Sequence, residues 1–287
     1  LDKFPNYVDA LVELEVRKGQ PLIAIGGGIV QDITCFLATT VMRGLPWIFY
    51  PTTLLAQSDS CIGSKSSINS GEVKNILGTF TPPGEVVIDV EYLKTLEQKE
   101  ILSGIGEMLK VHAIDSPKSF DRISKNYEKI LVDGQVLERF IRDSLVIKKK
   151  LIEIDEFDAG PRNVMNYGHS FGHAIESATN FAIPHGIAVS LGMDIANFVA
   201  VQLGVSDSAH FDRMHGVLRK NYEDYIGVAI PEDLFLKALS KDKKNTSTQL
   251  RLILPDQNGF IRIGLYDSGI SIQKAIRLYL GSYFRTK

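Results

Sequence analysis

The sequence has few of the residues that mark disulfide-rich, membrane or nucleic-acid-binding proteins. Its 287 residues include two cysteines, Cys35 and Cys61, and 32 basic residues stand against 34 acidic ones. Two lone cysteines favour a reducing compartment and buried thiols over a disulfide. No apolar run reaches the roughly 18 residues that span a bilayer, and the start is not signal-like. We therefore predict a cytoplasmic protein with neither a membrane nor a nucleic acid as its partner.

The order of helix and strand signals predicts two domains. Strands at "PLIAIGGG", "WIFYPTT" and "EVVIDVEYL", apolar on both faces, are separated by helical stretches, and "NYVDALVELEVRKG" forms a first helix ending at Gly19. This alternation predicts a parallel sheet with crossover connections. Long helical stretches follow Glu91, with a late strand pair around "LRLILPDQNGFIRIG". We predict an α/β nucleotide-binding domain over residues 1–91, Rossmann-like and incomplete at its N-terminus, then a mainly α-helical metal-binding domain over residues 92–287.

A run of three glycines is the first candidate binding element. Gly26, Gly27 and Gly28 lie between a strand and a helix, where free N–H groups and the helix dipole favour an anion such as a dinucleotide pyrophosphate. The run is not G-x-G-x-x-G, and a tight turn is the alternative. Further candidates for cofactor binding are Asp32 in the following helix and Thr52, Thr53 and Asp59 after the second strand. For each of them a capping or turn role is the alternative.

Half of the six histidines lie between Met165 and Gly186. His169 and His173, four residues apart, share one helical face, and His185 opens a further helix after a proline. Two histidines and an acidic third ligand leave an open position on zinc, and Glu107 in "GIGEMLK" is the candidate acid. The spacing does not decide which two histidines bind metal, and His173 could instead contact a substrate.

Several basic residues lie near glycine, asparagine or histidine motifs, and singly each fits a solvated surface charge. Together with a metal site they predict a pocket for a polyanion such as a phosphorylated acid. These residues are Lys65, Lys74, Lys110, Lys148, Arg162, Lys243 and Lys244.

The motifs together resemble a known family. "GGGIVQD", "MRG", "PTTLLAQSDSCIGSK", "KNILGTF", "GEMLK", "KKKLIEIDEFDAGPRNVMNYGHSFGHAIE", "PHG" and "DKKN" occur in the order and spacing of the dehydroquinate synthases, which are sugar phosphate cyclases. The similarity runs from about Gly19 to Arg251. It implies an NAD-binding domain and a helical metal domain with the active site in the cleft, a divalent metal (zinc, with cobalt as the alternative), and a homodimer.

The resemblance also implies a role for individual residues. It gives Glu107, His169 and His185 as metal ligands, with Lys110, Lys148, Asn166 and His173 as catalytic residues. The implied NAD contacts are Gly26, Gly27, Gly28, Asp32, Thr52, Thr53, Asp59, Lys74 and Thr95. The implied substrate contacts are Asp59, Lys65, Asn75, Lys110, Lys148, Arg162, Asn166, His173, Lys243 and Lys244, with Arg43 reaching the phosphate site of the neighbouring subunit.

The implied activity is that of a phosphorus–oxygen lyase of the shikimate pathway. It converts a 3-deoxy-heptulosonate 7-phosphate to 3-dehydroquinate and phosphate by oxidation, β-elimination, reduction, ring opening and aldol closure. A sister cyclase acting on another sugar phosphate and a metal-dependent alcohol dehydrogenase are the alternatives. Lys148 and Arg162 favour a substrate with a carboxylate. Ser64, Pro161 and Ile187 depart from the family's usual residues and leave the substrate open.

Overall fold

The first part of the chain is built around a parallel sheet, as predicted. The computed structural model describes residues 1–70, 73–241, 249–267 and 269–284, with the backbone alone described at residues 70 and 73–75. The elements are α1 (Phe4–Glu13), β1 (Leu22–Gly26), α2 (Gly28–Thr40), β2 (Trp47–Pro51), β3 (Ile68–Ser70), β4 (Val73–Leu77) and β5 (Glu85–Val86). Strands β1, β2 and β5 form a parallel sheet in the order β1–β2–β5, and β3 pairs antiparallel with β4.

The central strand β2 positions the loops that matter for binding. Its alternate residues Trp47 and Phe49 are buried, and they belong to the same apolar cluster as Cys35 and Ala38 of α2. Because β1 and β2 run parallel and in register, both strands reach their carboxyl ends at the same edge, where Gly26 pairs with Pro51. In parallel sheets this edge is where ligands bind.

Three local predictions in this region are wrong. Helix α1 ends at Glu13 and not at Gly19, because Glu15 adopts a left-handed conformation with φ of 54°. The stretch "EVVIDVEYL" is extended only at Glu85–Val86, and a 3₁₀ helix covers Val90–Thr95. The apolar residues on both faces of β1 indicate a buried strand, but Ile23 and Ile25 are each 60% exposed.

The rest of the described chain is mainly helical. The elements are α3 (Gln98–Asp115), α4 (Pro117–Lys125), α5 (Tyr127–Val132), α6 (Gly134–Ile154), α7 (His169–Ala178), α8 (His185–Gln202), α9 (Ser208–Tyr222), α10 (Glu232–Ser240), β6 (Gln249–Pro255), β7 (Ile261–Asp267) and α11 (Ile270–Leu278). Helix α8 has buried residues around its whole circumference, as expected for a helix enclosed by others. It packs against α3, α7 and α9. Strands β6 and β7 form the predicted late hairpin.

The sheet-containing part and the helical part of the chain have separate apolar clusters. The smaller contains Trp47 and Phe49 of the sheet, and the larger joins the helices. Leu54, which follows β2, belongs to the larger cluster, so side chains of the first part also pack on the helices. The boundary between residues 91 and 92 stays a prediction. Among the described residues, no helix has both the length and the apolar character needed to cross a bilayer.

Candidate functional site

Glycines allow the helices that bear the acidic and histidine side chains to approach closely. A Cβ added to Gly186 of α8 would lie 2.6 Å from the carbonyl carbon of Ser103 in α3, and one added to Gly106 would lie 2.7 Å from the carbonyl carbon of Gly186. Such distances are far below van der Waals contact. Because Glu107 follows Gly106 and His185 precedes Gly186, this contact brings the two side chains together.

Glu107 and two histidines form a candidate metal centre. The side chain of Glu107 is buried, and its Oε1 accepts no hydrogen bond from the described residues. Nε2 of His185 lies 3.4 Å from this oxygen and Nε2 of His169 lies 3.8 Å from it. In a tetrahedral zinc site with bonds of about 2.0–2.1 Å the ligand atoms are about 3.3 Å apart. These three side chains therefore fit a divalent ion.

His173 lies beside this group on the side open to solvent. Ligand atoms of the three histidines lie within 4.8 Å of one another, so His173 belongs to the same cluster. Its ring centroid is 5.2 Å from that of His169 and 5.7 Å from that of His185, and its side chain is exposed. An exposed histidine next to two less exposed ones can be reached by a bound substrate.

The charges around these groups set the ionisation state in which each candidate ligand would meet a metal. Burial and the positive charge of Lys110 hold the pKa of His169 well below its usual range. Burial acts to raise the pKa of Glu107, but Lys110 and His185 outweigh it and hold this pKa well below the ordinary value. Burial likewise opposes the charge on His185, whose pKa Glu107 and Glu176 nevertheless raise to about 10. A metal would therefore meet a carboxylate and a neutral His169, and would displace a proton from His185.

Two buried lysines extend the site toward the sheet. Asp59 lies in a π-helical turn over Ala56–Ser60. Lys148 of α6 lies 2.6 Å from its Oδ1 and donates to its carbonyl oxygen at 2.5 Å. Lys110 of α3 pairs with Glu107 and lies 3.2 Å from Oδ2 of Asp59. Each ammonium has three N–H donors, of which the described contacts use two, so one remains on each for a bound anion.

Arg162 lies close to Gly63, which follows Asp59 in the chain. It belongs to a 3₁₀ helix over Pro161–Asn166, is buried, and donates from Nη1 to the carbonyl oxygen of Glu156 at 2.6 Å. A Cβ on Gly63, whose φ is +100°, would lie 3.1 Å from Nη2 of Arg162, so glycine at this position leaves room for the guanidinium. Asn166 is half-buried, and its Nδ2 donates to the Asn163 carbonyl oxygen at 3.0 Å.

The candidate substrate residue Lys65 is part of a contact between the two halves of the chain. Its ammonium forms an ion pair with Asp158, in the segment that follows α6. Close by, Phe80 and Phe157 make an edge contact with their ring centroids 5.2 Å apart, and Lys65 and Phe80 share an isolated β-bridge. An anionic ligand would compete with Asp158 for the lysine.

Several candidate cofactor residues meet at the carboxyl ends of β1 and β2. The backbone N–H of Thr52 donates to the carbonyl oxygen of Gly26 at 2.9 Å. A Cβ on Gly27 would lie 2.9 Å from Cγ2 of Thr53, and Gly28 begins helix α2. The glycines therefore leave the N-terminus of α2 open beside Thr53, as a pyrophosphate requires.

Three other candidates have local contacts or exposed positions. Asp32 accepts a hydrogen bond from the backbone N–H of Ser67 at 2.9 Å, and burial raises its pKa to about 6 despite that bond. Thr95 is exposed at the end of a 3₁₀ helix. Arg43 is exposed, and with Met42 it adopts a left-handed conformation, with φ of 62° and 51°. Such strain is typical of functional positions.

Four candidates fall outside what the structure describes. They are the side chains of Lys74 and Asn75 in β4, and the whole of Lys243 and Lys244.

The sequence did not reveal every residue that the structure brings to the histidines. Oε1 of Glu176 lies 3.3 Å from Nδ1 of His185, and the carbonyl oxygen of Tyr167 lies 3.3 Å from Nδ1 of His169. The signal for Glu176 was its place in "HAIE", three residues after His173, where it adds a carboxylate to the histidine-rich segment. No residue pattern indicates a backbone contact such as that of Tyr167.

The chain matches known proteins along most of its length. Residues 1–103 match the family model described as 3-dehydroquinate synthase N-terminal, and residues 104–245 match its C-terminal counterpart. The 3-dehydroquinate synthase of Thermodesulfovibrio yellowstonii is 36% identical over 274 residues, which cover 94% of this chain and 76% of the relative. That of Dictyoglomus thermophilum is 40% identical over 244 residues, or 84% of this chain and 68% of the relative.

Solved structures share the fold. A 2-deoxy-scyllo-inosose synthase complexed with carbaglucose-6-phosphate, NAD⁺ and Co²⁺ superposes with a TM-score of 0.86 at 24% identity, over 96% of this chain and 78% of its own. The 2-epi-5-epi-valiolone synthase of Streptomyces hygroscopicus, with NAD⁺ and Zn²⁺ bound, gives 0.86 at 25% identity, over 98% and 79%. An iron-containing alcohol dehydrogenase of Thermotoga maritima gives 0.62 at 17%, over 97% and 80%.

Proposed function

The chain belongs to the 3-dehydroquinate synthase family, and from this premise we propose that it is a NAD- and metal-dependent cyclase converting a 3-deoxy-heptulosonate 7-phosphate to 3-dehydroquinate and phosphate. The main observation behind the proposal is that Glu107 lies close to His169 and His185, beside two buried lysines. The relatives named 3-dehydroquinate synthase support the same reaction.

The metal would be held by Glu107, His169 and His185, with zinc proposed and cobalt as the alternative. The related synthase structures with NAD⁺ and with Zn²⁺ or Co²⁺ support both kinds of cofactor. When bound, NAD would take up and return a hydride, and the metal would polarise the ring oxygens of the substrate. We assign NAD to Gly26–Gly28, Asp32, Thr52, Thr53, Asp59, Lys74 and Thr95, with its pyrophosphate at the N-terminus of α2.

The chain's own residues bind and orient one polyanion. Lys110 and Lys148 each keep an N–H for an anionic or hydroxyl oxygen, and the fixed Asp59 carboxylate prevents the two ammonium groups from moving apart. The exposed ring of His173 can exchange a proton with the substrate. Holding the reacting groups in place is the larger part of this catalysis, because the hydride chemistry belongs to the cofactor.

We assign the substrate's carboxylate to Lys148 and Arg162, and this assignment separates the proposal from a sister cyclase. A guanidinium and an ammonium together suit a carboxylate, and Arg162 is buried where an unpaired charge is costly. We also propose substrate contacts from Lys65, Asn75, Asn166, Lys243 and Lys244. The domain boundary after residue 91 and the cytoplasmic location stay proposals. So does a homodimer in which Arg43 reaches the site of the neighbouring subunit.

A phosphate-release assay tests the function. We expect release from the heptulosonate phosphate with catalytic NAD and zinc, and little from sedoheptulose 7-phosphate or glucose 6-phosphate. Turnover of those two sugars alone would support a sister cyclase. NADH accumulating in proportion to turnover would support an alcohol dehydrogenase, whose likeness to this chain concerns the fold alone.

Arg162→Ala tests the substrate assignment. Loss of a buried partner for the carboxylate should weaken substrate binding by about 3–5 kcal/mol. Lys149→Ala is the matched control, because Lys149 lies beside Lys148 on α6 with its side chain 70% exposed. Unchanged KM and kcat in Arg162→Ala would show that the carboxylate binds elsewhere.

A further inference from the structure

Both nitrogens of the His185 imidazole face a carboxylate. Nε2 lies 3.4 Å from Oε1 of Glu107, and Nδ1 lies 3.3 Å from Oε1 of Glu176. Glu176 belongs to the last turn of α7 and is buried. The ring therefore lies between a carboxylate that fits a metal ligand and a second one that the metal assignment does not use.

His169 shows the same arrangement with a different acceptor. Its Nε2 faces Glu107, and its Nδ1 lies 3.3 Å from the carbonyl oxygen of Tyr167. A histidine that donates its Nδ1 proton keeps the lone pair of Nε2 free for a metal. Both candidate ligands thus have a hydrogen-bond acceptor on the nitrogen that points away from Glu107.

His185 needs such an acceptor more than His169 does. It is the first residue of α8, directly after the N-cap Pro184, and its side chain is 36% exposed against 14% for His169. A ring at a helix start with one side open to solvent has packing contacts on fewer sides to hold its orientation. A buried carboxylate on the neighbouring helix is the group that can fix it.

The packing of α7 on α8 keeps Glu176 in place. A Cβ on Gly172 would lie 3.2 Å from the Cα of Val189, and one on Gly192 would lie 2.7 Å from the backbone nitrogen of Gly172. The helices are in backbone contact there, so main-chain packing fixes how far apart the backbones of Glu176 and His185 lie.

We propose that Glu176 is a positioning residue that accepts the Nδ1–H of His185 and thereby directs the Nε2 lone pair toward the metal position beside Glu107. The inference rests on the proposed metal site. The proposed role depends on the hydrogen bond and not on the negative charge of Glu176. A neutral hydrogen-bond acceptor of the same size should therefore perform the same role.

The test compares Glu176→Ala and Glu176→Gln with the unaltered chain by zinc competition against a chromophoric chelator. Loss of an outer-shell partner should weaken zinc binding about 10- to 100-fold in Glu176→Ala. Glu176→Gln keeps an acceptor oxygen and should stay within a few-fold of the unaltered chain. The control is Ser177→Ala, which alters the adjacent exposed residue of α7 and should change nothing.

A second readout observes the hydrogen bond itself. In zinc-loaded, ¹⁵N-histidine-labelled protein, the Nδ1–H of His185 should be protected from exchange in the unaltered chain and in Glu176→Gln, and exchange rapidly in Glu176→Ala. Unaltered zinc affinity and protection in Glu176→Ala would overturn the proposal. So would an equal loss in both variants, because the effect would then follow the charge.

This design separates the inference from the proposed function. If the unaltered chain binds no zinc, the metal site itself is refuted. If it binds zinc and Glu176→Ala binds equally well, only the positioning role fails. Neither readout requires turnover, and Glu176→Gln keeps the proposal testable if Glu176→Ala does not fold.

Discussion

Gly186→Ala tests whether backbone contact between α3 and α8 creates the metal site. A Cβ at this position would lie 2.6 Å from the carbonyl carbon and 3.0 Å from the Cα of Ser103, and closer still to the carbonyl oxygen. All three atoms belong to the main chain, so no side-chain rotation can relieve the overlap. The helices would have to separate, and with them Glu107 and His185.

The expected size of the effect follows from these distances. Carbon atoms pack at about 3.5–4.0 Å, so α8 must retreat by about 1 Å. Metal ligands tolerate deviations of only about 0.2 Å. Overpacking of this kind costs about 1–3 kcal/mol of stability. Metal binding would have to bring the helices together again, so the same strain should weaken zinc binding about 5- to 150-fold.

The assay is zinc competition together with thermal unfolding of the metal-free protein. Gly216→Ala is the matched control, since Gly216 is an exposed residue of α9 and a Cβ there would meet no atom within 4 Å. It should leave zinc binding unchanged and stabilise the helix by up to about 1 kcal/mol. Full zinc affinity and full stability in Gly186→Ala would refute the role of the glycine contact.

Three further predictions concern a buried cluster, acid stability and cofactor binding. Asp194→Ala should lower the unfolding free energy by about 3–5 kcal/mol in chemical denaturation. The hydroxyls of Tyr222 and Tyr279 both donate to this buried carboxylate, and Nδ1 of His215 lies 2.7 Å from it. A loss no larger than that of Tyr222→Phe would contradict this prediction. Burial, aided by a nearby arginine, lowers the pKa of His112 to about 4. The unfolded chain therefore binds a proton at this histidine more readily than the folded chain does. About 3 kcal/mol of folding stability should be lost as the pH falls from about 6.5 to 4. His112→Gln should flatten this part of the stability profile, and an unchanged slope would be the contrary result. Gly27→Asp puts a carboxylate at the N-terminus of α2 and should abolish NAD binding in calorimetry, whereas unchanged affinity would place the pyrophosphate elsewhere.

The sequence predicted those parts of the site that depend on local geometry. The i, i+4 spacing gave His169 and His173 one helical face, and both lie in α7. The strand followed by glycines indicated an anion-binding turn, and Gly28 does begin a helix after β1. Such features follow from the helical and extended periods of the backbone, which depend on residues close together in the chain. Family motifs added the roles, which spacing alone left open.

Tertiary packing decided which side chains face one another. The spacing could not choose between the three histidines, whereas the contact between α3 and α8 turns Glu107 toward His169 and His185. The exposed face of β1 was likewise missed, because an apolar strand has the same pattern whether or not a second layer covers it. Glu176 reaches His185 because α7 and α8 touch along glycines. A helix period fixes the direction of a side chain relative to its own axis, but the group opposite it depends on how two helices cross, and that is set by the shape of the whole core.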